Sequence, residues 1–150
     1  ELMQTDAAAA IVRFEQALRL QPTCYQAIAN IGVCHHVSGH DDRAVEYFRR
    51  AIAVRPDVAA FHSKLATSLE GVGRTAEASR AYREAVRLKP ADPALHLHYL
   101  STALRLGRLG SVREHCRKHA SVVAADPFLQ LFHGYLLLLS GLPTDATDAL

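Results

Sequence analysis

Apolar and small residues recur along this chain at spacings of three and four, which gives one apolar stripe per helix. The stretch from Tyr25 to Val58 carries the pattern most fully. Ile28, Ile31, Gly32 and the segment His35 to Val37 follow helical spacing, and Gly39 ends the run. A second run holds Ala44, Val45, Phe48, Ala51, Ile52 and Val54, and Pro56 closes it. Glycine just past a helix supplies a left-handed cap, and proline cannot continue one. The pattern therefore predicts two antiparallel helices joined by a short turn. Its alanines let the two backbones approach closely, while Phe48 and Ile28 fill the gaps on either side.

The unit recurs every 34 residues. Pro22, Pro56 and Pro90 mark the period, and so do Gly39, Gly73, Gly107 and Gly141 in another phase. Ala10, Ala44 and Ala78 mark it again, with Ala17, Ala51 and Ala85. A period of this size signals a repeat architecture. With no strand-like alternation, the expected class is all-α, with helices over 6–20, 25–38, 42–54, 59–72, 75–88, 93–106, 110–123 and 127–140 and a short one from 144. Asp92-Pro93 and Asp126-Pro127 predict helix starts, with aspartate as N-cap and proline in the first helical position. The unit from Pro93 to Asp126 is degenerate: Leu100 replaces a small residue, Val112 an alanine, Cys116 an aromatic and His119 an alanine. Altered packing and local curvature are expected there. The phase of the period places Glu1 and Leu150 inside helices, and neither end has the polar cap that an array needs. The expectation is one array over 1–150, an excerpt of a longer chain: partial repeat 1–24, repeats 25–58, 59–92 and 93–126, and partial repeat 127–150. Its exposed ends offer a route to self-association.

These residues resemble the tetratricopeptide repeat family. The family pattern of a large residue, Leu-Gly and Tyr, then Ala, an aromatic, Ala and Pro, reads here Ile28, Ile31-Gly32, His35, Ala44, Phe48, Ala51 and Pro56. The next copy reads His62, Leu65-Ala66, Leu69, Ala78, Tyr82, Ala85 and Pro90. The resemblance implies a right-handed superhelical solenoid of about four and a half such repeats. It implies a concave groove lined by the first helices, holding an extended peptide or a partner helix. The groove positions are Gln26, Asn30 and Val33; Ser63, Lys64 and Thr67; Leu97, His98 and Ser101; and Phe128, Leu131 and Tyr135, with Ala29, His36, Ala60, Glu70, Ala94, Leu104, Phe132 and Leu138 beside them. The groove thus grades from polar around Asn30 and Lys64 to apolar around Phe128 and Tyr135. Of the carboxylate clamp that chaperone-binding members use, Asn30 fits, while Lys64 stands where arginine is wanted and Ala60 replaces a lysine. Of the asparagine ladder of O-linked N-acetylglucosamine transferases, Asn30 is one rung, and Lys64, His98 and Phe132 break the rest. The implied function is a non-catalytic protein-interaction scaffold. The alternative is the substrate-recruiting arm of a larger enzyme, such as a glycosyltransferase of that type.

Composition changes this picture little. A net charge of +2 and 7% aromatic residues point neither to nucleic acid nor to a membrane. The odd number of cysteines, Cys24, Cys34 and Cys116, predicts free thiols in a reducing, cytoplasmic compartment. Nine histidines raise the question of a metal, above all His115 and His119 with Cys116 between them, the cluster His35, His36 and His40, and the pair His96 and His98. No third and fourth ligand is predictable, so no metal site is expected. The register instead gives His35, His62, His96 and His133 positions of core or half-buried residues. No nucleophile elbow, phosphate loop or carboxylate pair appears, so neither catalysis nor a cofactor is expected of this segment. Arg49, Arg83 and Arg117 form a row on the outer face, with Glu46–Arg50, Arg80–Glu84 and Glu114–Lys118 as expected ion pairs at spacing four. The run Phe128 to Leu142 is too short and too mixed to span a bilayer. It predicts a helix buried against its neighbours, or else a docking surface.

Overall fold

A computed structural model describes residues 2–139, with side chains from 6 to 138. Within them lie α1 (Leu2–Leu20), α2 (Tyr25–Val37), α3 (Asp41–Val54), α4 (Ala59–Gly71), α5 (Thr75–Leu88), α6 (Pro93–Arg105), α7 (Leu109–Lys118), α8 (Ala120–Ala125) and α9 (Pro127–Leu139). Each helix packs against the next, α2 on α3 and α4 on α5 most extensively. The result is a solenoid of helix pairs. Gly141, the rest of the apolar run to Leu142 and the helix expected from 144 lie outside the described residues.

The punctuation works as the residue types require. Gly39, Gly73 and Gly107 have φ of 76°, 76° and 69°, the left-handed region that glycine enters without a Cβ penalty. At the first of these turns the amides of Ser38, Gly39 and His40 close on the carbonyls of Cys34, His36 and His35, satisfying the end of α2. The Asp92 side chain accepts from the Ala94 amide at 3.2 Å, and Asp126 from the Leu129 amide at 2.9 Å. Both predicted aspartate caps are therefore made.

Close packing falls on the small residues. Ala44, Ala51, Ala66, Ala78 and Ala85 are 0% exposed, and Phe48 and Tyr82 fill the space between them at 1% and 0%. A Cβ on Gly32 would meet the Phe48 ring at 3.0 Å. One apolar core runs from α3 to α9, and a smaller one joins Ile28, Ala29 and Ala51 with Leu18, Tyr47 and Phe61.

The degenerate unit departs from the expected helix over 110–123. The helix breaks at His119 (φ −112°, ψ 34°), giving α7 and α8. The physical reason lies in two exchanges. Leu100 is 0% exposed and stands in register with Gly32 and Ala66, so its side chain occupies space the other pairs keep closed. Cys116 puts a smaller side chain where Phe48 and Tyr82 fill the interface. α6 packs on α7 less extensively than α2 on α3 or α4 on α5.

A set of side-chain tethers follows the same period. His62 Nε2 donates to the Pro56 carbonyl at 2.8 Å, and His96 Nε2 to the Pro90 carbonyl at 2.8 Å. In the next unit Gln130 Nε2 donates to the Ala124 carbonyl at 2.6 Å. The histidines tie α4 and α6 to the turns that precede them, and Gln130 ties α9 to α8.

The outer face differs from expectation in its pairing. Arg87 meets Glu84 and Arg117 meets Glu114 at spacing three rather than four. Arg49 reaches Glu77 on α5 at 2.9 Å, which makes it a link between pairs. A helix surface brings both spacings together, and rotamer choice decides between them.

Candidate functional site

The first helices of the pairs, α2, α4, α6 and α9, carry the twelve expected groove residues. Gln26 and Asn30 are exposed on α2, with Val33 half-buried. On α4, Lys64 and Thr67 are exposed and Ser63 half-buried; on α6, His98 and Ser101 are exposed and Leu97 half-buried. On α9, Phe128 is 71%, Leu131 75% and Tyr135 55% exposed. Ala29, expected beside them, is buried. The cause is helical phase: the second and sixth positions of α2, α4 and α6 are exposed, whereas Ala29 lies on the packed stripe.

Several of these side chains are already engaged. Thr67 Oγ1 donates to the Ser63 carbonyl at 3.1 Å and lies 3.0 Å from the Tyr82 hydroxyl. That hydroxyl also donates to Glu70 at 3.0 Å, and Arg105 of α6 binds Glu70 at 2.7 Å. Burial pushes the Tyr82 phenol up to about 12, so it remains a donor. The His98 ring stacks on Tyr82 at 5.0 Å with the planes 8° apart. This network fixes the middle of the face. Lys64, by contrast, has no ion-pair partner among the described residues.

The apolar end is open. Phe128, Leu131, Tyr135 and Leu138 form one exposed stripe on α9, while Leu129 (0%) and Leu136 (5%) face the core. Within the described residues, one side of α9 is buried and the other is open. The reason is spacing: 129 and 136 fall on one face of a helix, and 128, 131, 135 and 138 on another.

Sequence reasoning missed a second feature, a cluster of three histidines. His96 Nδ1 and His115 Nε2 are 2.8 Å apart. The His119 ring lies 4.7 Å from His96 and 4.6 Å from His115. Burial holds the His115 imidazole down to about 3, helped by His119, His96 and Lys118. His119 is lowered too, by burial and then by His96 and Lys118. The spacing of 115 and 119 was visible in sequence; that α6 supplies the third ring was not. Among the described residues no group of three or more His, Cys, Asp or Glu is placed to hold a metal ion. A cleft of about 590 Å³ opens beside this cluster, and one of about 370 Å³ beside His35. Neither is lined by any of the twelve expected groove residues.

Helix pairs of constant length, stacked edge to edge with alanines at the contacts, define a helical-repeat scaffold. The chain belongs to the tetratricopeptide repeat family, whose models match residues 1–67 and 63–129. Proteins built of these repeats are generally non-catalytic and typically bind protein partners. A crystal structure of MamA superposes with a TM-score of 0.80 at 16% identity, covering 97% of this chain and 85% of that one. MamA from Desulfovibrio magneticus RS-1 gives 0.69 at 20% identity, with 82% and 70% covered. A mutant O-GlcNAc transferase from Thermobaculum terrenum gives 0.61 at 22% identity, covering 68% of this chain and 20% of that one. These likenesses are of fold. A search of curated proteins gives no match. Among the described residues no helix is long and apolar enough to cross a membrane.

Proposed function

We propose that the chain is a non-catalytic interaction scaffold that holds an extended peptide or a partner helix along the exposed face of α2, α4, α6 and α9. One observation carries this reading. Gln26, Ala60, Ala94 and Phe128, in one register on successive first helices, are all exposed, and α9 adds Leu131 and Tyr135, so that one end of the face holds large apolar side chains open to solvent. Such a patch is uncommon on a surface without a partner. The ligand that fits is polar or acidic where it meets Gln26, Asn30, Ser63 and Lys64, passes Thr67, Leu97, His98 and Ser101, and ends in apolar side chains at α9. The half-buried and buried thiols of Cys24, Cys34 and Cys116, all unpaired, support a reducing, cytoplasmic setting.

The reading of a substrate-recruiting arm draws only on the shared fold. Lys64, His98 and Phe132 stand where a ladder of asparagines would follow Asn30.

Selection of binders from a displayed library of random peptides tests the proposal. Enriched peptides should be amphipathic from end to end, and their amide perturbations should map to α2, α4, α6 and α9. Enriched peptides that map to the second helices α3, α5 and α7 would refute it.

A further inference from the structure

The cluster of His96, His115 and His119 lies apart from the peptide face, and its chemistry follows from one fixed point. The Pro90 carbonyl only accepts, so His96 Nε2 carries the hydrogen it donates there at 2.8 Å. A neutral His96 then presents a lone pair on Nδ1, and His115 Nε2–H donates to it at 2.8 Å. One added proton can leave this bond in place, on His115 Nδ1 with Nε2–H still donating, or on His96 Nδ1 if His115 turns Nε2 into the acceptor; either way the charge sits in the buried pair. A second sets N–H against N–H, with the His119 ring 4.6 Å from His115. His96 and His115 are 0% and 8% exposed, so water solvates the charge poorly.

The surroundings do not compensate. Across the adjoining cleft α5 presents Arg83, Glu84 and Arg87, α6 presents Tyr99, and α7 presents Glu114 and Lys118. Glu84 is taken by Arg87 and Glu114 by Arg117, which leaves Arg83 and Lys118 as charges of the wrong sign. The Cys116 thiol beside His115 is buried and pushed up to about 11. α8 carries no titratable side chain, and α9 only His133 and Tyr135.

The cluster also sits where the array is thinnest. The helix breaks at His119, and α6 packs on α7 less extensively than α2 on α3 or α4 on α5. Among the described residues the His96–His115 bond is the side-chain hydrogen bond that joins α6 to α7.

We propose that these three histidines form a proton-operated latch: neutral, they hold α7 and α8 on α6, and on taking up protons they release them. Mild acid then opens this part of the array before α4 and α5. The depressed affinity of His115 and His119 for protons, caused first by burial, agrees with a latch that can charge only by opening.

Hydrogen exchange by mass spectrometry on the whole chain tests this, with rates corrected for the intrinsic effect of pH. A histidine that stays neutral when closed and has an unfolded value of about 6.5 makes opening about tenfold more favourable between pH 7.5 and 5.5. Residues 109–125 should therefore lose about tenfold to 100-fold of their protection, well beyond the loss in 59–88. In the double variant His115→Gln/His119→Gln, where the glutamine amide can still donate to His96, most of that excess should vanish. Equal pH responses in the two regions, or an unchanged excess in the double variant, would overturn the proposal. Should the variant fail to fold or 109–125 exchange too fast to score, imidazole NMR on the unaltered chain decides. His115 remaining neutral in the closed state at pH 5.5 supports the latch, and its titration near 6.5 refutes it.

Discussion

His62 Nε2 donates to the Pro56 carbonyl across 2.8 Å, and it is this contact, repeated by His96 on Pro90, that seats α4 and α6 on the turns before them. Pro56 and Pro90 lie just past the ends of α3 and α5, in turns where no helix supplies their carbonyls with a donor. The histidine supplies it from the next unit. Gln130 makes the equivalent bond to Ala124, so an amide serves where no histidine stands.

The tether predicts an ordering of variants at one site. His62→Gln retains a donor in the register that Gln130 uses, whereas His62→Leu leaves the Pro56 carbonyl without a partner. The leucine variant should be the less stable by about 1 kcal/mol. Denaturant midpoints of the two variants check this, and a leucine variant as stable as the glutamine one would dismiss the tether as incidental.

Much of the fold was legible because its determinants are local. Gly39, Gly73 and Gly107 fix turns through their own φ, Asp92 and Asp126 cap through neighbouring amides, and the alanine period marks the contacts. What escaped depends on residues far apart in the chain. The break at His119 follows from Leu100 and Cys116 acting across an interface, and the histidine cluster joins α6 to α7. Nor could sequence choose the partner of Arg49, since Glu77 lies on another helix. Of the candidate groove, the exposure of Lys64, His98 and Tyr135 followed from helical phase. The capture of Thr67 and Glu70 by Tyr82 and Arg105 did not.

Close approach at the alanines sets a second expectation. Ala51 is 0% exposed, and a leucine there should cost about 1–3 kcal/mol by overpacking the cores on either side. Gly32→Ala should also destabilise, because its Cβ would meet the Phe48 ring at 3.0 Å. Arg49→Ala removes only the half-exposed pair with Glu77 and should cost about 1 kcal/mol or less. Thermal or denaturant unfolding of the three variants checks the order. An arginine variant as damaged as Ala51→Leu would contradict the packing described.

Acid should act in two windows. Burial lowers His35, His115 and His119, so their folded forms resist the protons that the unfolded chain accepts below about 6.5. Stability is therefore full above that value and falls as pH drops below it, by about 1.4 kcal/mol per pH unit for each histidine that stays neutral. For His115 the loss continues to about 3. The carboxylates of Asp57, Glu77, Glu84, Asp92 and Glu114 are lowered chiefly by hydrogen bonds from Arg55, Arg74, Arg87, Lys89 and Arg117. Their contribution is present above the ordinary carboxylate range and lost only below it. Denaturant midpoints should thus decline between pH 7.5 and 5.5, before any carboxylate titrates. A flat profile over that interval would exclude the histidine account.

The apolar end of the peptide face yields the sharpest test, because exposure separates binding from stability. Tyr135 is 55% exposed, so Tyr135→Ala should change unfolding free energy by no more than about 0.5 kcal/mol. Leu129, on the same helix but 0% exposed, should cost about 2–5 kcal/mol when cut to alanine. For a peptide selected on the unaltered chain, Tyr135→Ala should nevertheless weaken binding by about 2 kcal/mol, with little dependence on salt, as loss of an apolar anchor does. Lys64→Ala should weaken it mainly at low ionic strength, since an exposed charge is screened within about 8 Å at physiological salt. Calorimetric titration at two salt concentrations, with melting temperatures on the same samples, resolves the four effects. If Tyr135→Ala lowers the melting temperature as Leu129→Ala does yet leaves affinity intact, the apolar stripe of α9 belongs to packing. The binding face then contracts to the polar positions of α2 and α4.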